Sequence, residues 1–146
     1  MSEPIPVPET VTKLIEKYEF NKQAFHLGKF NETQLRVEYI NPLFLGLDWD
    51  VYNNQGNSEL YKEVLHEEPI KIGATTLFID YTFRIGGLRK FIIETKKPST
   101  KIKDDASAAL QVRRYAWNAK LPLNILTNFE EWAIYDCTLK PSHNDN

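Results

Sequence analysis

A single cysteine, Cys137, leaves nothing to pair in a disulfide and too few thiols for the usual zinc patterns, which suits a reducing cytoplasm. An excess of one charge is lacking too. Against 18 Lys and Arg stand 20 Asp and Glu, so the net charge of -2 does not advertise nucleic acid, and any such contact must come from a local patch. No apolar run approaches the roughly 18 residues a membrane span needs, and no charged-then-apolar leader is present. The expectation is a cytoplasmic protein without a membrane partner.

What is present describes a folded domain. Hydrophobic residues make up 42% and aromatic residues 12% of the 146 residues, enough for one domain with its own core, and the three tryptophans are expected inside it. There are no internal repeats. After a lead-in broken by Pro4, Pro6 and Pro8, the spacing of Val11, Leu14, Ile15 and Tyr18 predicts a helix capped by Glu9 or Thr10. Asn31 with Gln34 three residues on has capping-box spacing, so a second helix should run from there toward Pro42. LFLGLDWDV (43–51) reads as a helix exit into a strand. Strands are expected near 69–73, 77–83 and 90–96, then a helix in DDASAALQVRRYAWNAK (104–120), then strands in LNILT (123–127) and EEWAIYD (130–136). That order predicts an α/β fold with a mixed sheet, ending in a polar tail.

The hairpin of DYTFRIGGLRKFIIETKKPS (80–99) carries the chemistry. A two-residue turn at Gly86-Gly87 would set apolar faces against charges, whereas a three-residue loop over 86–88 pairs Phe83 with Phe91, Tyr81 with Ile93 and Asp80 with Glu94. The second register keeps apolar with apolar and is the expected one. Two carboxylates side by side repel unless a cation lies between them, and magnesium is typically held by one or two carboxylates with waters and phosphate oxygens. Asp80, Glu94 and the Thr95 carbonyl would form one side of such a shell, with Lys96 beside it to stabilise developing negative charge or position a water. That is the chemistry of phosphodiester hydrolysis; the plain alternative is a surface hairpin with a weak Glu-Lys pair. On the following helix Gln111 and Tyr115 share one face, with Arg114 and Asn118 beside them. Gln111, flanked by Arg113 and Arg114, could orient water or touch backbone phosphate, against the plain reading of a solvated basic face.

The ordered combination of NETQLRVEYINPLF (31–44), DYTF (80–83), FIIETKKPS (91–99) and DDASAALQVRRYAWNAKLPLNILTNFEEWAIYD (104–136) resembles the amino-terminal nuclease domain of type IIG restriction-modification enzymes. It is similar, more distantly, to the nuclease domain of type I restriction motor subunits, both within the PD-(D/E)XK superfamily. The resemblance implies a restriction-endonuclease-like core, a central mixed β-sheet flanked by helices, over residues 28–140, with 1–27 an N-terminal extension and helix and 141–146 a loose tail. It implies Asp80 and Glu94 as ligands of Mg2+, for which Mn2+ may substitute, and Lys96 as the catalytic lysine. Gln111 with Tyr115 matches the supporting Gln-x-x-x-Tyr element, and Glu32 the acid that the first core helix points at the metal. Glu32 can equally favour its helix start and pair with Arg36 at i+4, and Glu38 is its rival, six residues on and pointing elsewhere.

Ile79 stands where the superfamily name has Pro, and Asp48 where relatives usually carry Gly before Trp49, a difference that bears on the helix exit. The expected partner is DNA, met through local cations such as Lys96, Lys97, Lys101, Lys103, Arg113 and Arg114. Neither a phosphate-cradling Gly-rich loop nor an Asn-Pro-Pro motif is present, so methyltransferase and sequence-recognition domains are expected elsewhere in a full-length enzyme. A non-catalytic module binding nucleic acid or protein on the same fold, and a nuclease for RNA or branched DNA, are the competing readings.

Overall fold

The computed structural model describes residues 3–27, 30–104, 106–138 and 140, apart from the side chains of 72, 106–109, 111 and 112. Five strands form one mixed sheet in chain order: β1 (Val64–Ile72), β2 (Thr75–Ile85), β3 (Leu88–Thr95), β4 (Leu123–Thr127) and β5 (Trp132–Asp136). Neighbours pair antiparallel except β3 and β4, whose parallel pairing needs a crossover. The long helix Ala106–Asn118 supplies it. The fold is therefore α/β with helices flanking a mixed sheet, as expected.

The amino-terminal helices pack as one layer. Helix α1 (Glu9–Phe20) buries Val11, Leu14 and Tyr18, while Ile15 stays exposed. Its N-cap is Pro8, so neither Glu9 nor Thr10 caps it. A short helix, α2 (Lys22–His26), then seats Phe25 in the core, an element too brief to show periodicity. Helix α3 (Glu32–Leu35) opens with the expected capping box: the Gln34 amide donates to Asn31 Oδ1 at 2.8 Å and the Asn31 amide to Gln34 Oε1 at 3.0 Å.

The helical run does not stop at Pro42. It widens into a π turn over Arg36–Ile40 and continues as α4 (Asn41–Gly46), with proline in its first turn. A proline there has no N–H for the carbonyl four residues back, and its ring would crowd that carbonyl in a regular helix. The π turn relieves the crowding, and the Glu38 carbonyl accepts from Lys17 Nζ at 3.4 Å instead. The final helix, Ala106–Asn118, is α5.

Residues 49–51 form no strand. The α4 exit passes through Asp48 at φ 70°, a left-handed position that glycine fills without strain, and the chain then turns into a loop. Asp50 organises that loop by accepting from the Asn54 and Gln55 amides at 2.7 and 3.1 Å. Strand β1 begins five residues earlier than expected; its Pro69 is tolerated because the strand lies at the sheet edge.

The β2–β3 register pairs Phe83 with Phe91 and Tyr81 with Ile93, as apolar matching required. The loop that achieves it differs from the expected three-residue one. Gly86 and Gly87, at φ 59° and 80°, make a two-residue turn between Ile85 and Leu88, and a bulge beside Phe83 and Arg84 absorbs the extra residue. At Gly87 an added Cβ would lie 2.8 Å from the Leu60 carbonyl. Gly87→Ala should therefore lower stability by about 2 kcal/mol, read as a shifted urea midpoint with an unchanged slope.

Among the described residues two larger cores and a small cluster of Ile102 and Leu126 flank the sheet. Tyr81, Phe83 and Ile93 pack with Leu14, Tyr18, Phe25, Leu35, Tyr39 and Phe44, and Ile79 and Ile92 pack with Tyr115, Ala116, Leu121 and Cys137. Strict alternation would put Ile79 with Tyr81. It breaks at Asp80, opposite Glu67, whose φ of 52° interrupts the β1–β2 ladder. The tryptophans are less buried than expected: Trp49 packs edge-on against Phe83 and Phe91, but Trp117 and Trp132 are each 37% exposed. Among the described residues no helix is long and apolar enough to cross a membrane.

Candidate active site

One step beyond the Tyr81–Ile93 pair come Asp80 and Glu94, where β3 runs out beside the end of β4. Asp80 is only 8% exposed, and three donors fix it. Thr95, fully buried, gives its amide to Oδ2 at 2.7 Å and its hydroxyl to the same oxygen at 2.6 Å. Arg36 Nη1 reaches Oδ1 at 3.1 Å, and its Nη2 lies 3.5 Å from Glu67 Oε1. The hydrogen bonds seen at Thr95 thus steady Asp80 through its two donors.

Glu94 is half-buried within hydrogen-bonding reach of Asp80. Burial first, then the Asp80 charge and its hydrogen bond, push the Glu94 carboxyl up to about 9; Lys96 opposes the shift and Glu32 adds to it. A carboxyl raised that far favours its protonated form at neutral pH. The same balance places Lys96 and Glu32 close enough for their charges to act on Glu94. Lys96 follows Glu94 on the extended chain and gives its amide to the Thr127 carbonyl at 2.9 Å, which ties it to the end of β4.

Glu32 and Glu38 are told apart by their surroundings. Glu32 adds its charge to the Asp80–Glu94 pair, whereas Glu38 lies with Lys13, Lys17, Pro42 and Asp48 around a groove between α1 and α4. The i+4 pairing of Glu32 with Arg36 gives way to the Arg36–Asp80 ion pair. That contact was not anticipated. The spacing places Arg36 one turn after Glu32 on the same helix face, but nothing local points to a partner 44 residues away.

Other expected site residues are more dispersed. Tyr115 is 7% exposed and packs in the second core, so it has little surface to offer a nucleic acid. Arg113 lies over the Tyr135 ring, 5.5 Å from its centroid, while Lys97 and Arg114 are exposed. Gln111 belongs to α5, but its side chain lies outside the described residues.

The donor set suits a small, hard cation. Among the described residues no three His, Cys, Asp or Glu side chains gather as a metal cage. Magnesium does not require one, since it keeps several waters and binds through one or two carboxylates. Two carboxyls close enough for the charge of one to raise the other favour a positive charge between them, which a divalent ion would supply.

Comparison with known proteins bears on the same segment. The family model for the type I restriction enzyme R protein N terminus matches residues 61–143, more than half of the chain, from the loop before β1 through β5. The chain is 43% identical over 140 residues to the type II restriction enzyme and methyltransferase RM.Eco57I of Escherichia coli, covering 94% of this chain. It spans only 14% of that relative's length. No solved structure matches. With all five strands and the Asp80, Glu94 and Lys96 positions inside the matched segment, the chain belongs to the family of the type I restriction enzyme R protein N terminus.

Proposed function

We propose that this chain is the metal-dependent DNA endonuclease domain of a type IIG-like restriction-modification enzyme, built on the PD-(D/E)XK plan and using Mg2+ or Mn2+. The observation that carries the reading is the placement of Asp80 and Glu94 together one step past the Tyr81–Ile93 pair, with Asp80 oriented by Thr95 and Lys96 two residues beyond Glu94. Asp80, Glu94 and the Thr95 carbonyl would hold the ion, with Glu32 as the further acid facing it. When bound, the ion supplies Lewis-acid stabilisation of the scissile phosphate and acidifies a ligated water. Thr95 fixes the Asp80 carboxylate so that its orientation is set before any ligand arrives. The Lys96 ammonium positions the attacking water and offsets the negative charge that grows on phosphorus-bound oxygens. Gln111 supports this arrangement from α5, and Lys97 and Arg114 contact backbone phosphates, with Arg113 beside them; these contacts carry no base sequence.

The full-length relative is named as both restriction enzyme and methyltransferase. Methyltransferase and sequence-recognition modules are accordingly the proposed partners in the whole enzyme. With a net charge of -2 the domain alone should hold DNA weakly and lose it as salt rises. One observation favours a non-catalytic module instead, namely the Arg36 guanidinium that already neutralises Asp80. Supercoiled plasmid separates the two. With Mg2+ or Mn2+ at low salt the protein should convert it to nicked and linear forms, and EDTA should stop the conversion. Plasmid left intact at high protein concentration, in either metal, would count for the silent module.

A further inference from the structure

We infer that Arg36 is a built-in counter-ion which competes with the divalent cation for Asp80, and so sets the metal concentration at which the site fills. The inference rests on the metal reading of Asp80 and Glu94. Asp80 has one oxygen committed to Thr95 through two short hydrogen bonds, leaving Oδ1 as the ligand it can offer. Arg36 Nη1 occupies that oxygen at 3.1 Å. A guanidinium and a divalent ion cannot share it, because an incoming 2+ charge beside a fixed cation in a half-buried site meets direct repulsion.

The surroundings equip Arg36 to leave. Its side chain is 17% exposed, and its second nitrogen lies 3.5 Å from Glu67, whose side chain is 66% exposed. Glu67 sits there at φ 52°, a left-handed conformation that a glutamate adopts at some cost, at the gap in the ladder opposite Asp80. Arg36 also begins the π turn, a distortion that recurs at functional sites. Released from Asp80, the guanidinium has a carboxylate waiting at the rim. The contact protects the metal-free domain, where Arg36 offsets the charge of Asp80, and it raises the cation concentration needed for cleavage.

The test is a Mn2+ titration read by the electron paramagnetic resonance of the free ion, on the wild type, Arg36→Gln, Arg36→Lys and Asp80→Asn. Arg36→Gln should bind Mn2+ at least tenfold more tightly than wild type. Arg36→Lys, which keeps the charge but loses the planar fork, should fall between them, and Asp80→Asn should not bind. The thermal midpoint of Arg36→Gln should drop without metal and rise more than that of wild type when Mg2+ is added. Should Arg36→Gln fail to fold, Arg36→Lys and the wild type suffice. In the wild type the Arg36 Nε–Hε resonance, assigned by its loss in Arg36→Lys, should move with the same midpoint as Mg2+ binding. A wild type that binds Mn2+ while both Arg36 variants bind no more tightly overturns the inference and leaves the metal site standing, as does a resonance that stays fixed. Absence of binding in every protein overturns both.

Discussion

Asp80→Ala should abolish plasmid cleavage and also lower the unfolding free energy by about 3 kcal/mol, because the carboxylate is a structural acceptor as well as the proposed metal ligand. Its removal strands the buried amide and hydroxyl of Thr95 and leaves Arg36 facing a cavity. Part of the cost is returned, since Glu94 then loses the neighbouring charge that raises it. Asp80→Asn keeps an oxygen for Thr95 but turns an amide NH2 toward Arg36, a donor as well, and should cost less than Asp80→Ala by about 1 kcal/mol. The two variants should thus be equally inactive and unequally stable. Urea unfolding of both, beside the wild type, reads the difference, and an Asp80→Ala cost no greater than that of Asp80→Asn would contradict the three contacts described at this carboxylate.

Glu94→Gln should do the opposite to stability while still removing activity. A glutamine mimics the protonated glutamic acid, because its amide can donate to Asp80 without a charge to bury. The sign follows from proton counting. Glu94 has its folded value near 9 against an ordinary 4.5, so below about pH 4.5 it is neutral in both states. Between 4.5 and 9 the folded chain keeps a proton that the unfolded chain releases, and stability falls as pH rises through that window; above 9 the dependence ends. Glu94→Gln is free of this loss. The variant and the wild type should match near pH 4.5, and at pH 7.5 the variant should be more stable by about 2 kcal/mol, below the ~1.4 kcal/mol per pH unit that full desolvation would give. Thermal melts at intervals from pH 4.5 to 9, without metal, trace the gap. A gap that stays flat or closes with rising pH would show that Glu94 is not held protonated beside Asp80.

The sequence carried the β2–β3 register because a slip of one residue would have turned Phe83, Phe91, Tyr81 and Ile93 away from their core. It did not reveal the device that achieves the register, since a two-glycine turn with a bulge and a three-residue loop place the same pairs together. The Asn31–Gln34 capping box was readable because its partners are three residues apart. The π turn was not, although Pro42 was in view, because what it displaces is the Glu38 carbonyl and what receives that carbonyl is Lys17, 21 residues earlier. Distance along the chain also hid the Arg36–Asp80 pair, 44 residues apart. The acids and the lysine of the candidate site were legible as a pattern on one hairpin. The cation already seated on Asp80 was not, because it comes from the helical layer.

The central claim is that Asp80, Glu94 and Lys96 form a metal-dependent site for phosphodiester cleavage. Its most direct test compares nicking of supercoiled plasmid by the wild type and by Lys96→Ala in Mn2+ at low salt, after circular dichroism and Mn2+ binding have shown that the variant folds and fills its site. The variant should keep fold and metal and lose nicking by at least about a hundredfold, since Lys96 is proposed to act on the reacting groups and not on the ligands. Nicking by Lys96→Ala at the wild-type rate would contradict it.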